Sequence, residues 1–369
     1  MSNLNFLSGL ILYLLAIAPH ALHYKYNELM LGLKFFLFII FLLIEKKKII
    51  FKYFVIGIFV LILGLIGSFR SHGYEFSISR FIIYAICIFL FSIKLKYSSN
   101  TYIFFKRLYI ISVLILTVVS LLHPEIVNFF YGWNDLNQQE QFLQSKKYVS
   151  IFGLPATASL CYGLIIFLII NSRKLFNKAI SAILVFFFIF MLISLKSTSS
   201  FITIIFLLTY YLLIYFKRIS LLTLIFKIIL ISLFLLILTN SFFLDLLNLD
   251  YYLDTIKKSV ANRFAEQYQF YGYRIDNLLI GFGFTSTIKI SFGDIGYFDH
   301  LFRLGLIGAG LYYFLYYNFL KRLLFNQNYF ILILYILILE LGHSYSKSIV
   351  FLPVILIILF NLNNKASDK

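Results

Sequence analysis

The sequence is short of acidic residues and of charge in general. Its 369 residues include 15 Asp and Glu against 32 Lys and Arg, so the formal net charge is +17 at pH 7. Charged residues make up only 13% of the chain and hydrophobic residues 62%, where soluble globular domains have about 25% and about 45–50%. This composition excludes a soluble globular enzyme and a disordered chain.

The chain is also poor in residues that bind metals or nucleotides. Its two cysteines, Cys87 and Cys161, each lie inside an apolar run without a CxxC partner, so we interpret both as buried packing residues. The six histidines have no HExxH or clustered spacing, and the sequence lacks a P-loop and a dinucleotide-binding fingerprint. We therefore expect no metal and no cofactor. Lys and Arg lie in short clusters between apolar runs rather than on a soluble face, which argues against nucleic-acid binding.

Long apolar runs are abundant, and the mean hydropathy is +0.93. A membrane-spanning helix needs about 20 mainly apolar residues. The N-terminus lacks a basic start and a small-x-small cleavage site, so we interpret it as a first span rather than a cleaved signal peptide. The runs predict an all-α polytopic membrane protein in which residues 1–369 form a single transmembrane domain. Its twelve predicted spans are residues 4–22, 28–45, 49–68, 79–95, 103–122, 150–171, 179–195, 200–216, 220–240, 296–319, 328–343 and 347–362.

The basic residues predict which loops face the cytoplasm. They cluster in alternate short loops, which the positive-inside rule places in the cytoplasm together with both termini. Two long loops, 123–149 and 241–295, then lie on the outer side of the membrane. The second loop, between the ninth and tenth spans, is large enough to form a small helical lobe of its own.

Ionisable residues concentrate in this second loop and in the span that follows it. Charged groups at membrane depth are costly and usually face a polar cavity. Arginine offers a planar fork of donors suited to phosphate oxygens, and a carboxylate beside it can accept a proton from a sugar hydroxyl. The candidate residues are Arg263, Arg274, Asp276, Lys289, Asp294, Asp299, His300 and Arg303, together with a G-x-G turn at Gly281 and Gly283.

Structural roles remain open for each of these residues. Arg263 and Arg274 suit pairing with nearby acids, and Asp294 suits the N-cap of the following helix. His300 and Arg303 lie one helical turn apart and suit pairing with Asp299 or Glu340. The glycines at 305, 308 and 310 are typical of close helix packing. Arg70, with Arg80, either lines the same cavity or marks the membrane interface.

The order of these features resembles the O-antigen polymerase family, within the superfamily that also contains the O-antigen ligases. Arg263 lies eighteen positions before Gly281, and Asp294 lies eleven positions before the G-L-I-G stretch at 305–308. Ligases carry a histidine at the position of Asp294, whereas Asp-x-Gly-Tyr is similar to the polymerase branch. The turn at 194–200 resembles a family turn in which an arginine stands where this chain has Lys196.

The resemblance implies a glycosyltransferase of the bacterial cell inner membrane, active in O-antigen or related surface-polysaccharide biosynthesis. Its partners would be an undecaprenyl-diphosphate-linked glycan donor and acceptor, membrane lipids and a chain-length regulator protein. Asp294 would be the catalytic base, with His300 as the second candidate. The diphosphate-binding residues would be Arg263, Arg274, Lys196 and Arg70.

Two other functions stay open at this point. An O-antigen ligase would use the same chemistry to attach glycan to a lipid core, although a histidine at position 294 would fit it better. A flippase or other transporter also suits twelve spans, but transporters typically show repeated halves. The sequence shows no such repeat, and its loop of about 55 residues is rich in ionisable groups.

Overall fold

The structure is a computed structural model, and it describes a defined part of the chain. The described residues are 3–18, 27–71, 75–95, 99–131, 148–151, 153, 155–172, 174–216, 279–285, 296–324, 330–340, 346 and 351–359. The predicted ninth span, 220–240, and most of the 241–295 loop lie outside them.

The described residues are predominantly α-helical, as the apolar runs predict. The helices are α1 Asn3–Ile17, α2 Asn27–Glu45, α3 Phe51–Arg70, α4 Ile78–Ser92, α5 Ser99–Leu122, α6 Pro124–Tyr131, α7 Pro155–Asn171, α8 Lys178–Ser194, α9 Thr198–Phe216, α10 Gly296–Leu324, α11 Phe330–Leu339 and α12 Leu352–Leu359. All but α6 coincide with predicted spans.

Local sequence accounts for several helix starts. Pro124 and Pro155 each occupy the first position of a helix, where proline has the required φ and its missing N–H costs nothing. Asn177 caps α8, because its side-chain oxygen accepts a hydrogen bond from Ile180 N at 2.8 Å. α6 follows α5 after a single residue, His123, and was not predicted because eight residues are too few to register as an apolar run.

Two of the described helices, Phe51–Arg70 with 20 residues and Tyr102–Leu122 with 21, are long and apolar enough to cross a membrane. Five further apolar helices are shorter, and α11 and α12 have only 10 and 8 residues. The helices themselves therefore establish an all-α architecture with two candidate spans among the described residues. This is a coarser result than the predicted twelve.

A two-stranded antiparallel ladder joins two connections between helices that the sequence predicts as plain loops. Strand β1 (Lys46–Ile49) follows α2, and strand β2 (Ile93–Leu95) follows α4. They pair antiparallel, and Ile50 N donates to Ser92 O at 2.8 Å beside them. The ladder fixes the ends of α2, α3 and α4 together. It was missed because β pairing between connections far apart in sequence leaves no local pattern.

Two groups of helices form the packed interior. α10 packs against α3 and α4, while α7 packs against α8, α9 and α12. α7 and α12 are buried on all sides, as expected of helices that are apolar all round. By contrast, α8 exposes a stripe of Ile183, Phe186 and Phe190, and α3 exposes Phe51, Phe59 and other apolar residues.

Candidate functional site

The G-x-G turn at residues 279–285 is held against the broken helix α10. Gly281 and Gly283 have φ of 81° and 75°, in the left-handed region that favours glycine. Two backbone amides of the turn donate to α10 carbonyls: Phe282 N to Phe302 O at 2.7 Å and Gly283 N to Arg303 O at 2.8 Å. The backbone of the turn is thus hydrogen-bonded directly to the backbone of a helix.

A break in α10 makes those carbonyls available. Gly305 has φ 65° and ψ −177°, so α10 is two helices joined at this residue. This conformation is essentially restricted to glycine, and it diverts nearby carbonyls from their usual i+4 partners. Exposed carbonyls inside an apolar protein need replacement donors, and the turn supplies them. A side chain at Gly305 would overlap the carbonyl of Leu279.

The end of α3 holds the turn from the other side. Ser68 Oγ accepts a hydrogen bond from Phe284 N at 2.8 Å and donates to Gly64 O at 2.9 Å. A Cβ added at Gly67 would lie only 2.8 Å from Gly281 O, so the missing side chain permits this close approach. The turn is therefore clamped between α3 and α10.

Two guanidinium groups converge on one carbonyl of the turn. Arg303 Nη1 donates to Thr285 O at 3.0 Å, and Arg80 at the start of α4 donates to the same oxygen. Arg303 Nε also pairs with Asp299 Oδ1 at 3.1 Å and Oδ2 at 3.3 Å, and Arg303 is only 3% exposed. Two guanidinium groups and one carboxylate leave a net positive charge, which suits an anionic ligand. Arg80 is half-buried, and its side chain lies nearer the protein surface.

His300 is fully buried beside this cluster, with both ring nitrogens in hydrogen bonds. Nδ1 lies 2.8 Å from Tyr84 Oη, and Nε2 lies 3.0 Å from Ser346 Oγ. Its ring stacks on Tyr312 at a centroid distance of 4.4 Å. Tyr84 Oη lies 3.4 Å from Asp299 Oδ2, so the network is satisfied when His300 donates from Nδ1 and Tyr84 donates to Asp299.

Glu340 anchors the first residue of α10. The Glu340 carbonyl accepts from Gly296 N at 2.7 Å, and its buried carboxylate accepts from Ser346 N. Tyr313 Oη lies 3.4 Å from Oε2 of the same carboxylate. The beginning of α10 is thereby joined to the end of α11. Of the predicted pairings, the one between Arg303 and Asp299 is present.

The predicted site residues fall into four groups, of which Lys196 forms one by itself. Asp294, Arg263 and Arg274 lie outside the described residues. His300, the second candidate for the catalytic base, belongs to the buried cluster, where it is 0% exposed and both ring nitrogens are hydrogen-bonded. Arg70 is exposed at the last residue of α3, one turn after Gly67.

Lys196 lies in a separate turn between α8 and α9, where it has φ of 45°. The serines around it cap α9: Ser200 N donates to Ser197 Oγ at 3.1 Å, and Ser197 N donates to Ser200 Oγ at 3.2 Å. Ser197 Oγ also lies 3.2 Å from Ser159 Oγ of α7. These contacts account for the serine-rich turn. In the described part of the chain no hydrogen bond or ion pair joins Lys196 to the Arg80–Arg303 cluster.

Several cluster residues carry no distinctive sequence signal. Tyr84 and Tyr312 are two of 28 tyrosines, and Ser346 is one of three serines within residues 342–348. The sequence offers Arg70 and Arg80 for the same role, and their spacing of ten residues gives no reason to prefer Arg80 to Arg70. Among the described residues, no group of three or more His, Cys, Asp or Glu is placed to hold a metal ion.

Comparisons with protein-family models, with curated proteins and with solved structures give no match to this chain.

Proposed function

We propose that the chain polymerises undecaprenyl-diphosphate-linked oligosaccharide repeat units into O-antigen or a related surface polysaccharide at the periplasmic face of the bacterial inner membrane. The observation that carries the proposal is the convergence of Arg80 and Arg303 on Thr285 O, beside Asp299. This charged cluster lies on the G-x-G turn and the G-L-I-G helix, which are the segments through which the sequence resembles the polymerase family.

The proposal includes twelve membrane spans with both termini in the cytoplasm. Apolar side chains exposed along α3 and α8 support it, because a soluble monomer rarely exposes such stripes. The clusters of Lys and Arg in alternate loops support the orientation. In this arrangement the end of α3, the turn and the start of α10 face the periplasm.

The chemistry is a displacement at the anomeric carbon of the donor glycan. Asp294 takes the proton of the acceptor hydroxyl, and the freed oxygen forms the new glycosidic bond with inversion. The bond from the anomeric carbon to the diphosphate breaks, and its electron pair leaves with the diphosphate. Arg263 and Arg274, with Arg80 at the rim of the cluster, stabilise this developing charge electrostatically.

His300 has a positioning role in this proposal. Its hydrogen bond to Tyr84 orients that hydroxyl toward Asp299, which in turn holds Arg303. The guanidinium group of Arg303, which shares Thr285 O with Arg80, is thus held by residues that are themselves hydrogen-bonded. Arg70, exposed one turn beyond Gly67, provides a further cation at the same end of α3.

The test is the gel pattern of surface polysaccharide from a deletion strain complemented with variants. Wild type is expected to restore a ladder, and Asp294→Ala, Arg263→Ala and Arg80→Ala are expected to leave a single repeat unit. Lys178→Ala, which removes an exposed charge at the start of α8, is the matched control and should restore the ladder. Immunoblots must show equal expression.

Other outcomes of the same gel would overturn the proposal. A deletion that leaves bare core while polymer accumulates on its lipid carrier would identify a ligase. Bare core with repeat units held on the cytoplasmic side would identify a flippase.

A further inference from the structure

A second basic feature lies at the opposite end of α10, far along the helix from the candidate site. Here the β1–β2 ladder and the last turns of α10 enclose a cavity of about 290 Å³. Its lining residues are Lys48, Ile50, Ile93, Lys94, Leu95, Phe319, Arg322 and Leu323. Three of these eight residues are cationic and none is acidic.

The strand pairing forces two of the cations together. Lys48 and Lys94 are directly opposite each other in the antiparallel ladder. Like charges at such positions destabilise a sheet, so the ladder is expected to gain stability from an anion between them. The nearest acidic residue in sequence, Glu45, does not serve, because its buried carboxylate accepts hydrogen bonds from Ser8 and Tyr102.

The third cation is held in a fixed position. Arg322 Nε donates to Asn318 O at 3.1 Å, and a second nitrogen of its guanidinium donates to Phe91 O. The guanidinium carbon also lies 4.6 Å from the ring centroid of Tyr53. A preorganised guanidinium loses little freedom when it binds an oxyanion.

The remaining wall of the cavity is apolar. Ile93, Leu95, Phe319 and Leu323 are all buried, and Ile50 is half-buried. A cationic rim over an apolar wall matches an amphiphile with a phosphate at one end. The cavity also lies at the ends of α3, α4 and α10, on the side where the basic loops cluster, and basic pockets at this level suit anionic lipid headgroups.

We propose that this cavity binds the phosphate of an anionic phospholipid, held between Lys48, Lys94 and Arg322, with the first methylenes of an acyl chain against Phe319 and Leu323. The site is independent of the glycosyl-transfer step and rests on the geometry of the ladder and α10 and on the proposed membrane orientation. Bound lipid would screen the Lys48–Lys94 repulsion and fasten the two connections to the helix.

The experiment compares two double variants of the full-length protein in detergent. Lys48→Gln/Lys94→Gln removes the opposed cations but leaves Arg322 and its backbone contacts in place. Lys178→Gln/Lys321→Gln removes the same charge from exposed positions that do not line the cavity. Binding of phosphatidylglycerol and phosphatidylcholine is measured by native mass spectrometry, with the thermal midpoint as a second readout.

We expect wild type and the control variant to bind phosphatidylglycerol in preference to phosphatidylcholine. The cavity variant should bind phosphatidylglycerol about 30-fold more weakly, which corresponds to about 2 kcal/mol. Without lipid, its thermal midpoint should equal or exceed that of wild type, because a repulsive pair has been removed.

Equal phosphatidylglycerol affinity in the two double variants would overturn the proposal. A lower lipid-free midpoint in the cavity variant would do the same, because it would mean that the two lysines stabilise the empty ladder. If inorganic phosphate at millimolar concentration displaced the lipid and gave the full rise in midpoint, the site would be a general anion site rather than a lipid site.

Discussion

Gly305 has a conformation that no other residue of α10 shares. Its φ of 65° and ψ of −177° divide the helix and turn the carbonyls of Phe302 and Arg303 toward the G-x-G turn. The three glycines of the stretch 305–310 look alike in sequence, yet they do different things. Gly308 approaches the side chain of Leu304, whereas a Cβ at Gly310 would meet nothing within 4 Å.

Gly305→Ala is expected to prevent folding or to lower stability by at least about 2 kcal/mol, because the backbone conformation is strained for alanine and the methyl overlaps Leu279. Gly310→Ala in the same helix is the control and should leave the thermal midpoint unchanged or raise it, since alanine favours helix. Thermal unfolding of the detergent-solubilised protein measures both. Similar midpoints for the two variants would show that α10 is not broken at Gly305.

Among structural elements, the turn at 279–285 depends most on its neighbours. It has little regular structure of its own, and α3, α4 and α10 satisfy its backbone groups. The link to the end of α3 passes through two hydroxyls: Ser68 Oγ accepts from Phe284 N at 2.8 Å, and Ser71 Oγ donates to Phe282 O at 3.0 Å. Removal of either hydroxyl therefore loosens the turn without a change in any helix.

Ser68→Ala is expected to speed amide exchange in the turn, because Phe284 N loses its acceptor. An unsatisfied buried donor costs about 1–3 kcal/mol, which corresponds to roughly a 5- to 150-fold faster local exchange. Hydrogen–deuterium exchange followed by mass spectrometry of peptides covering 279–285 provides the measurement. Ser79→Ala, where an exposed hydroxyl contacts only Ser77, is the control and should exchange like wild type.

At the same scale, apolar runs were good predictors of helices and poor predictors of helix ends. The run at 49–68 has no competing interpretation, and the helix Phe51–Arg70 follows it closely. Helix ends depend instead on proline, on caps and on partners: α7 begins at Pro155 rather than near residue 150, where the run begins. The β1–β2 ladder depends on the juxtaposition of two connections, which periodicity along either one does not report.

At the scale of the whole molecule, the orientation can be tested by cysteine labelling, because the two natural cysteines give no background signal. Cys87 and Cys161 are both fully buried, so the wild-type chain should resist labelling by a membrane-impermeant maleimide. Glu125 in α6 and Lys178 in α8 are exposed and fall on opposite sides of the predicted membrane. Single cysteines at these two positions therefore report the two faces separately.

In intact spheroplasts, Glu125→Cys is expected to be labelled and Lys178→Cys to be labelled only after lysis, because the reagent does not cross the bilayer. Wild type is the background control. The reverse pattern would invert the topology, and equal labelling of both variants before lysis would exclude a membrane between them.

The sequence pointed to the start of α10, and it named Arg80 only as a residue that either lines the same cavity or marks the membrane interface. The density of ionisable groups in 296–303 and the glycine pattern predicted that the start of α10 matters, and Asp299, His300 and Arg303 do lie together there. Their partners Arg80 and Tyr84 come from α4, more than 200 residues earlier in the chain. Apolar helices carry little information about which neighbours they choose, so no pattern in the sequence could pair α4 with α10.

The bend at Gly305 has a mechanical consequence. A continuous α-helix tilts and rotates as one rigid unit because hydrogen bonds join its successive turns. A residue with a non-helical backbone interrupts those hydrogen bonds and acts as a hinge. In the proposed membrane arrangement, lipids press laterally on the long piece that ends at Leu324, and the short piece from Gly296 is attached to Glu340 and to the turn. A hinge between the two pieces lets the long piece tilt without moving the short one. In that arrangement, bilayer thickness and lateral pressure can change without displacing the two guanidinium groups at Thr285.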